Sequence, residues 1–286
     1  MKIGIGPYYF FKYPGKEGCE RMRSHGYEYL DYDHYLHTHN GLYPEDEAEF
    51  IKVNEDLRDK FRSAGYTLWQ IHGPWREPQD STEEDRAERF EKMSMALRAA
   101  SIHGAKYMAI HPIMPFGWGK HTAEQEKEVW RINLDFFSRL AAVGERYGVY
   151  VCLENMAFPD FPISSVIDIM RLVKTVDHPY FKVCLDTGHA NVVAPKPAEA
   201  VRIIGKDYLK ITHVHGNDGI NDTHKVPFDP IDTTDWAAFT EALLEIGFDG
   251  VINLETTPLM TTRTGITDEE AELYLSSAVK KIAGVI

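Results

Sequence analysis

The feature that most limits what this chain can fold into is an alternation sustained from end to end. Short β-branched or aromatic runs, each strand-like, are separated by longer stretches with helical spacing of apolar residues. The strand-like runs are KIGIG (2–6), YEYLDYD (27–33), TLWQIH (67–72), YMAIHP (107–112), VYVCLEN (149–155), FKVCLD (181–186), LKITHVH (209–215) and GVINLET (250–256). Among the intervening segments, EDRAERFEKMSMALRAASIHG stops at a glycine, a common helix C-terminal signal. TTDWAAFTEALLEIGFDG opens with Thr and Asp near a helix start. Eight strands, each followed by a crossover, predict a parallel sheet, and eight is the number that closes a (β/α)8 barrel. An open doubly wound sheet competes, but no glycine-rich phosphate turn follows the first strand. No composition break or linker interrupts the 286 residues, so 1–286 reads as one α/β barrel domain.

Composition narrows the partners. The chain has 31 Lys and Arg against 44 Asp and Glu, a net charge of −13. Affinity for a nucleic-acid backbone rests on cations that neutralise phosphates, so nucleic acid is not an expected partner. No run approaches the ~20 apolar residues of a membrane span. The opening MKIGIGPYYF is too soon broken by Gly and Pro for a signal peptide and reads as a first strand. Three cysteines suit a reducing cytoplasm and no disulfide framework.

In such barrels the chemistry collects where strands end at their C-terminal side. Strand three places His72 there and strand four His111; strand five gives Glu154; strand six gives Asp186 and His189. Strand seven gives His215, with Asp222 and His224 in its loop, and strand eight gives Glu255. One such residue is usually a cap or loop hydrogen bonder. Six consecutive strands ending this way point to a shared site. Strand residues two apart share a face, so Cys152 lies beneath Glu154 and Cys184 beneath Asp186 as core fillers, and His213 points inward one layer below His215. His213 reads as a satisfied core histidine, and His25, His34, His37, His39, His103, His121 and His178 as loop or surface residues. The rim loops are rich in aromatics, including Trp75 and Trp118, and poor in cations: Arg76, Lys120, Lys196, Lys225 and Arg263 stand nearly alone.

The set HGPW, IHP, LEN, LDTGHA, HVHGND…DTH and LE resembles the xylose isomerase-like barrel superfamily, strand by strand over essentially the whole chain. That group includes sugar isomerases and epimerases, inosose dehydratase-like proteins and endonuclease IV. In its epimerases the resemblance implies one divalent metal held by Glu154, Asp186, His215 and Glu255. Endonuclease IV adds further ligands to make a trinuclear zinc site, and the matching positions are His72, His111, His189, Asp222 and His224. The ligand inventory permits both. The acidic charge and sparse rim cations favour the sugar branch.

The implied chemistry is proton transfer through an enediolate, for which a divalent ion stabilises the developing oxyanion. Three carboxylates and one imidazole suit Mn²⁺, Co²⁺, Mg²⁺ or Zn²⁺. Glu154 and Glu255 are expected as the proton-transfer pair, with His189 polarising the carbonyl or donating to a hydroxyl. His72, Trp75, His111, Trp118 and His224 are expected around the substrate, an unphosphorylated sugar, keto-sugar or cyclitol. The alternatives are a lyase or dehydratase on a keto-sugar, keto-glycoside or inosose, a phosphodiesterase with up to three zinc ions, and a non-catalytic sugar binder. A homo-oligomer is compatible with all of them.

Overall fold

The computed structural model describes residues 1–76, 79–256 and 266–285; Arg263 lies outside them. Eight parallel strands run β1 (Lys2–Ile5), β2 (Tyr29–Tyr32), β3 (Leu68–His72), β4 (Tyr107–Ile110), β5 (Tyr150–Glu154), β6 (Phe181–Asp186), β7 (Leu209–His213) and β8 (Val251–Leu254). Each pairs with its sequence neighbour from β1 to β7, and β8 returns to pair with β1, Lys2 opposite Val251. Between β7 and β8 the ladder shrinks to one bridge, Val214 to Leu254, with Val214 N donating to Asn253 O at 2.8 Å and Glu255 N to Val214 O at 3.0 Å. The result is the expected (β/α)8 barrel, nearly closed.

Ten helices are described: α1 (Tyr8–Lys12), α2 (Lys16–Ser24), α3 (Glu47–Ala64), α4 (Glu83–His103), α5 (Ala123–Tyr147), α6 (Val166–Val176), α7 (Thr187–Val192), α8 (Pro197–Tyr208), α9 (Trp236–Glu245) and α10 (Asp268–Ala283). Their ends follow local chemistry. Thr82, Thr122 and Thr267 open α4, α5 and α10 with reciprocal capping boxes to Asp85, Gln125 and Glu270. Gly104 and Gly148 close α4 and α5 in left-handed conformation. Among the described residues no helix is long and apolar enough to cross a membrane.

Inside the barrel the side chains stack in layers. Tyr107 and Tyr150 lie toward the N-terminal end, then Ala109, Cys152, Cys184 and Ile211 form a small apolar layer. All three cysteines are buried and unpaired, Cys152 and Cys184 in this filler layer. One step further along each strand, with the period of two that strands impose, come His111, Glu154, Asp186 and His213. The barrel is therefore plugged below and polar at its mouth. Two histidines expected at the surface are not there: His103 is buried at the end of α4, its Nε2 2.8 Å from the Tyr35 hydroxyl, and His25 is buried 2.7 Å from the Tyr9 hydroxyl. His25 sits against Tyr9 of α1 and Ser276 of α10, and His103 against Tyr35 and against Phe61 of α3, contacts between distant segments that local sequence does not reveal.

Candidate active site at the barrel mouth

The strands end earlier than their apolar runs, so several site residues sit on the first loop positions beyond them. β7 stops at His213, and His215 lies two residues on, in the segment that bridges to β8. Asp186 ends β6 and caps α7, accepting from His189 N at 2.6 Å. Asn155, just past β5, clamps this corner: its Nδ2 donates to Asp186 O at 3.0 Å and its Oδ1 accepts from Asp186 N at 2.9 Å. Each such bond contributes on the order of 1 kcal/mol and, more to the point, holds Glu154 and Asp186 in fixed relation. Thr187 Oγ1 donates to His215 O at 2.9 Å, pinning β7 to the same corner.

Gly188 is also required there. A β-carbon at position 188 would fall inside the His215 ring. The sequence pairs LDTGHA with HVHGND, yet Gly188 and Asn155 carried no signal of their own, since the need for each comes from a neighbouring strand.

Three histidines are oriented by main-chain carbonyls. A carbonyl oxygen only accepts, so the facing Nδ1 must carry the proton. His72 Nδ1 donates to Gly73 O at 2.8 Å, His189 Nδ1 to Asn155 O at 2.7 Å, and His224 Nδ1 to Glu255 O at 3.2 Å. With Nδ1 fixed as the donor, Nε2 is the atom each ring can offer to a metal, the arrangement metal-ligating histidines usually adopt, and opposite a carboxylate alone, which only accepts, that nitrogen carries a proton too. Those Nε2 atoms face carboxylates: His72 is 3.5 Å from Glu154, His189 3.2 Å from Asp222, and His224 3.4 Å from Asp222. His111 Nε2 is 3.3 Å from Glu154, and Trp75 packs edge-on against the His111 ring at 4.3 Å.

The ligand-type atoms gather in overlapping sets, the members of each within 4.8 Å of one another. One is His72, His111 and Glu154; a second is His189, His215, Asp222 and His224; a third is Glu154, Asp186, His213 and Glu255. All nine residues read from the sequence thus meet at one mouth. His213 belongs with them as well. Instead of packing among apolar groups, its Nδ1 lies 3.0 Å from Glu154 and 3.2 Å from Glu255, and its Nε2 3.1 Å from Asp31. Asp31 on β2 was not anticipated; it emerges from YEYLDYD only once the strand's inward face is known. Trp118 behaves differently from the rest: it is 49% exposed on the rim, stacked on Phe158 and under the Arg76 guanidinium.

The electrostatics call for cations. Asp31, Glu154, Asp186, Asp222 and Glu255 share one recess, and among the described residues no Lys or Arg pairs with any of them. Glu154 Oε2 and Glu255 Oε2 are buried without a well-aligned hydrogen bond, facing the imidazoles of His111 at 3.3 Å and His213 at 3.2 Å respectively, an arrangement that a bound cation would complete. Burial pushes Glu154 up, but His213 and His111 outweigh it and hold the carboxyl well below its usual range. Burial raises Glu255, and the Glu154 and Asp186 charges add to this beyond what His213 and His224 offset. The carboxylate-rich donor set suits a divalent ion, and the ligand atoms that lie together around the two glutamates are those of Glu154, Asp186, His213 and Glu255, with His215 grouped instead with His189, Asp222 and His224.

Comparison with known proteins agrees with this architecture. The family profile of the xylose isomerase-like TIM barrel matches residues 19–276, and the chain belongs to that family. It is similar to an uncharacterised protein of Methanocaldococcus jannaschii, 28% identical over 273 residues, 89% of this chain and 83% of the other. It is also 28% identical over 219 residues to the D-psicose 3-epimerase of Ruminiclostridium cellulolyticum, covering 72% of this chain and 68% of that one. Among solved structures, the IOLI protein with a binding zinc atom superposes with a TM-score of 0.74 at 19% identity, covering 99% of this chain and 98% of the other.

Proposed function

We propose that this protein is a divalent-metal-dependent sugar isomerase or epimerase, moving a proton between carbons of an unphosphorylated sugar, keto-sugar or cyclitol through an enediolate. The observation that carries the reading is the pairing of Glu154 and Glu255 in one buried recess, their carboxylates 3.0 and 3.2 Å from Nδ1 of the same imidazole, His213, with no Lys or Arg pairing with either among the described residues. Two carboxylates whose surroundings pull in opposite directions suit opposite roles in proton transfer. The similarity to a D-psicose 3-epimerase supports the substrate class.

Glu154, Asp186, His215 and Glu255 would hold the ion, which supplies Lewis-acid stabilisation of neighbouring sugar oxygens. Glu154 removes a proton from carbon on one face and Glu255 returns one on the other. His189, anchored through Nδ1, keeps its Nε2 turned to the recess, where it meets a substrate oxygen. His72, His111 and His224 line the remaining wall, and Trp75 backs His111. A lyase would use the same base, with elimination following proton removal.

A second reading is favoured by one specific feature. The sets His72–His111–Glu154 and His189–His215–Asp222–His224 lie beside Glu154, Asp186, His213 and Glu255 as two further ligand groups, so a multinuclear centre fits the same walls. Metal content of protein purified without chelator separates the readings. About one equivalent of divalent metal, with solvent hydrogen appearing in a ketohexose, supports the isomerase. Close to three equivalents of zinc, without exchange on any sugar, moves the assignment to phosphodiester hydrolysis.

A further inference from the structure

The side of the mouth between β8, β1 and β2 opens into a cavity of about 240 Å³. Tyr8 and Phe11 of α1 and His34 after β2 form its walls, and Asp31, His72 and Glu255 reach it from the site. The wall is a stack of rings, Phe11 on His34 at 4.4 Å and His34 on Tyr32 at 5.1 Å, that presents an outer aromatic face. Such faces suit the C–H side of a sugar. Among the described lining residues there are three carboxylates, Asp31, Asp33 and Glu255, and no Lys or Arg.

Asp31 is the unexplained group here. It is 5% exposed, and its Oδ2 accepts from Gln70 Nε2 at 2.9 Å and from Asn253 Nδ2 at 2.7 Å. Its Oδ1 has no hydrogen-bond partner. Gln70 and Asn253 thus hold one oxygen firmly and leave the other half of a buried carboxylate unsatisfied, which costs free energy unless a bound donor completes it. We propose that Asp31 is a specificity residue of this site, accepting a hydrogen bond from a hydroxyl at the end of a neutral sugar remote from the carbon that Glu154 and Glu255 serve. The inference rests on the sugar isomerase reading and deepens it. A phosphate or carboxylate at that end would face Asp31 and Asp33, whose imidazole partners His213 and His34 are already engaged, with no Lys or Arg among the described lining residues to receive it.

The test uses the metal-loaded full chain with D-psicose, D-tagatose and D-fructose, following both equilibrium binding and solvent hydrogen exchange. Asp31→Asn keeps an oxygen for Gln70 and Asn253 but turns the other acceptor into a donor. Its expected effect is a rise in Kd and KM of about 10- to 100-fold, the range for a hydrogen bond to a charged group, with kcat changed far less and metal content unaltered. The 6-deoxy or 5-deoxy sugar lacking the partner hydroxyl should bind the wild type as weakly as it binds the variant. Independently of any variant, D-fructose 6-phosphate should bind the wild type at least about tenfold more weakly than D-fructose. Exchange in the wild type with an Asp31→Asn variant of unchanged KM overturns the role of Asp31 and leaves the isomerase reading standing. Loss of metal in the variant, or tighter binding of the phosphate ester, also overturns it. A wild type that neither binds nor exchanges any of the three sugars overturns both.

Discussion

The two halves of the barrel mouth are built on opposite plans. On the side of β5, β6 and β7 the polar groups are tied down: Asn155 clamps Asp186, Asp186 caps α7, Thr187 grips the His215 backbone, and His189 is anchored on Asn155. On the side of β8, β1 and β2 there is a cavity with aromatic walls and, in Asp31 Oδ1, a buried carboxylate oxygen with no hydrogen-bond partner. The difference teaches how one rim divides its work. The tied half fixes ligand geometry before anything arrives, and the open half leaves valences for the arriving molecule to fill.

That contrast can be broken most sharply at Glu154, where the halves meet. Glu154→Gln should fold normally and lose solvent hydrogen exchange by ~10²–10⁴-fold, the usual worth of a positioned acid or base. Retained exchange would remove Glu154 from proton transfer and, with it, the reason for placing the reaction between the halves. On the tied side, Asn155→Ala removes the clamp without touching a ligand atom. Metal affinity should fall by about 10- to 100-fold, the range seen when groups behind metal ligands are lost. An unchanged affinity in a titration of the variant would mean that Asp186 is held well enough by its helix cap alone.

The effect expected far from the mouth falls on stability and leaves catalysis untouched. Burial lowers His103 to about 4, with Arg58 and Arg62 adding to the shift. A histidine whose folded value lies below its unfolded value of ~6.5 destabilises the fold only when the unfolded chain can take the proton. Its contribution is therefore full above pH ~6.5, declines as pH falls toward 4, and is constant below. The total loss is on the order of 3 kcal/mol. Denaturant midpoints of wild type and His103→Asn across that range should converge at low pH. A parallel pair of curves would show that His103 does not set the acid limit, while activity per folded molecule should be the same in both.

Much of this was legible in the sequence because the information was local. Parallel strands buried on both faces read as apolar runs, and helix ends announce themselves through Thr caps and closing glycines, so element order and barrel class followed directly. The nine ligand-type residues were legible because each stands at or just past the end of such a run. What escaped was set by neighbours distant in sequence. Asp31 matters through Gln70, His213 and Asn253, 39, 182 and 222 positions away; Asn155 matters through Asp186, 31 away. His213 was read as a satisfied core histidine pointing inward, but its partners escaped, because nothing in THVHG tells that the strands opposite present Asp31, Glu154 and Glu255 at that height.

The empty β-carbon position at residue 188 carries a consequence for how this protein can change over time. Adding one methyl group inside a helix is ordinarily the mildest of substitutions and often a gain. At Gly188 it would occupy the space of the His215 imidazole. The two positions therefore cannot drift separately: a lineage that acquires a side chain at 188 must already have surrendered the histidine at 215, and with it the imidazole of the central ligand set. Glycine at 188 is in that sense a record, readable in a single letter, of whether the site is still intact.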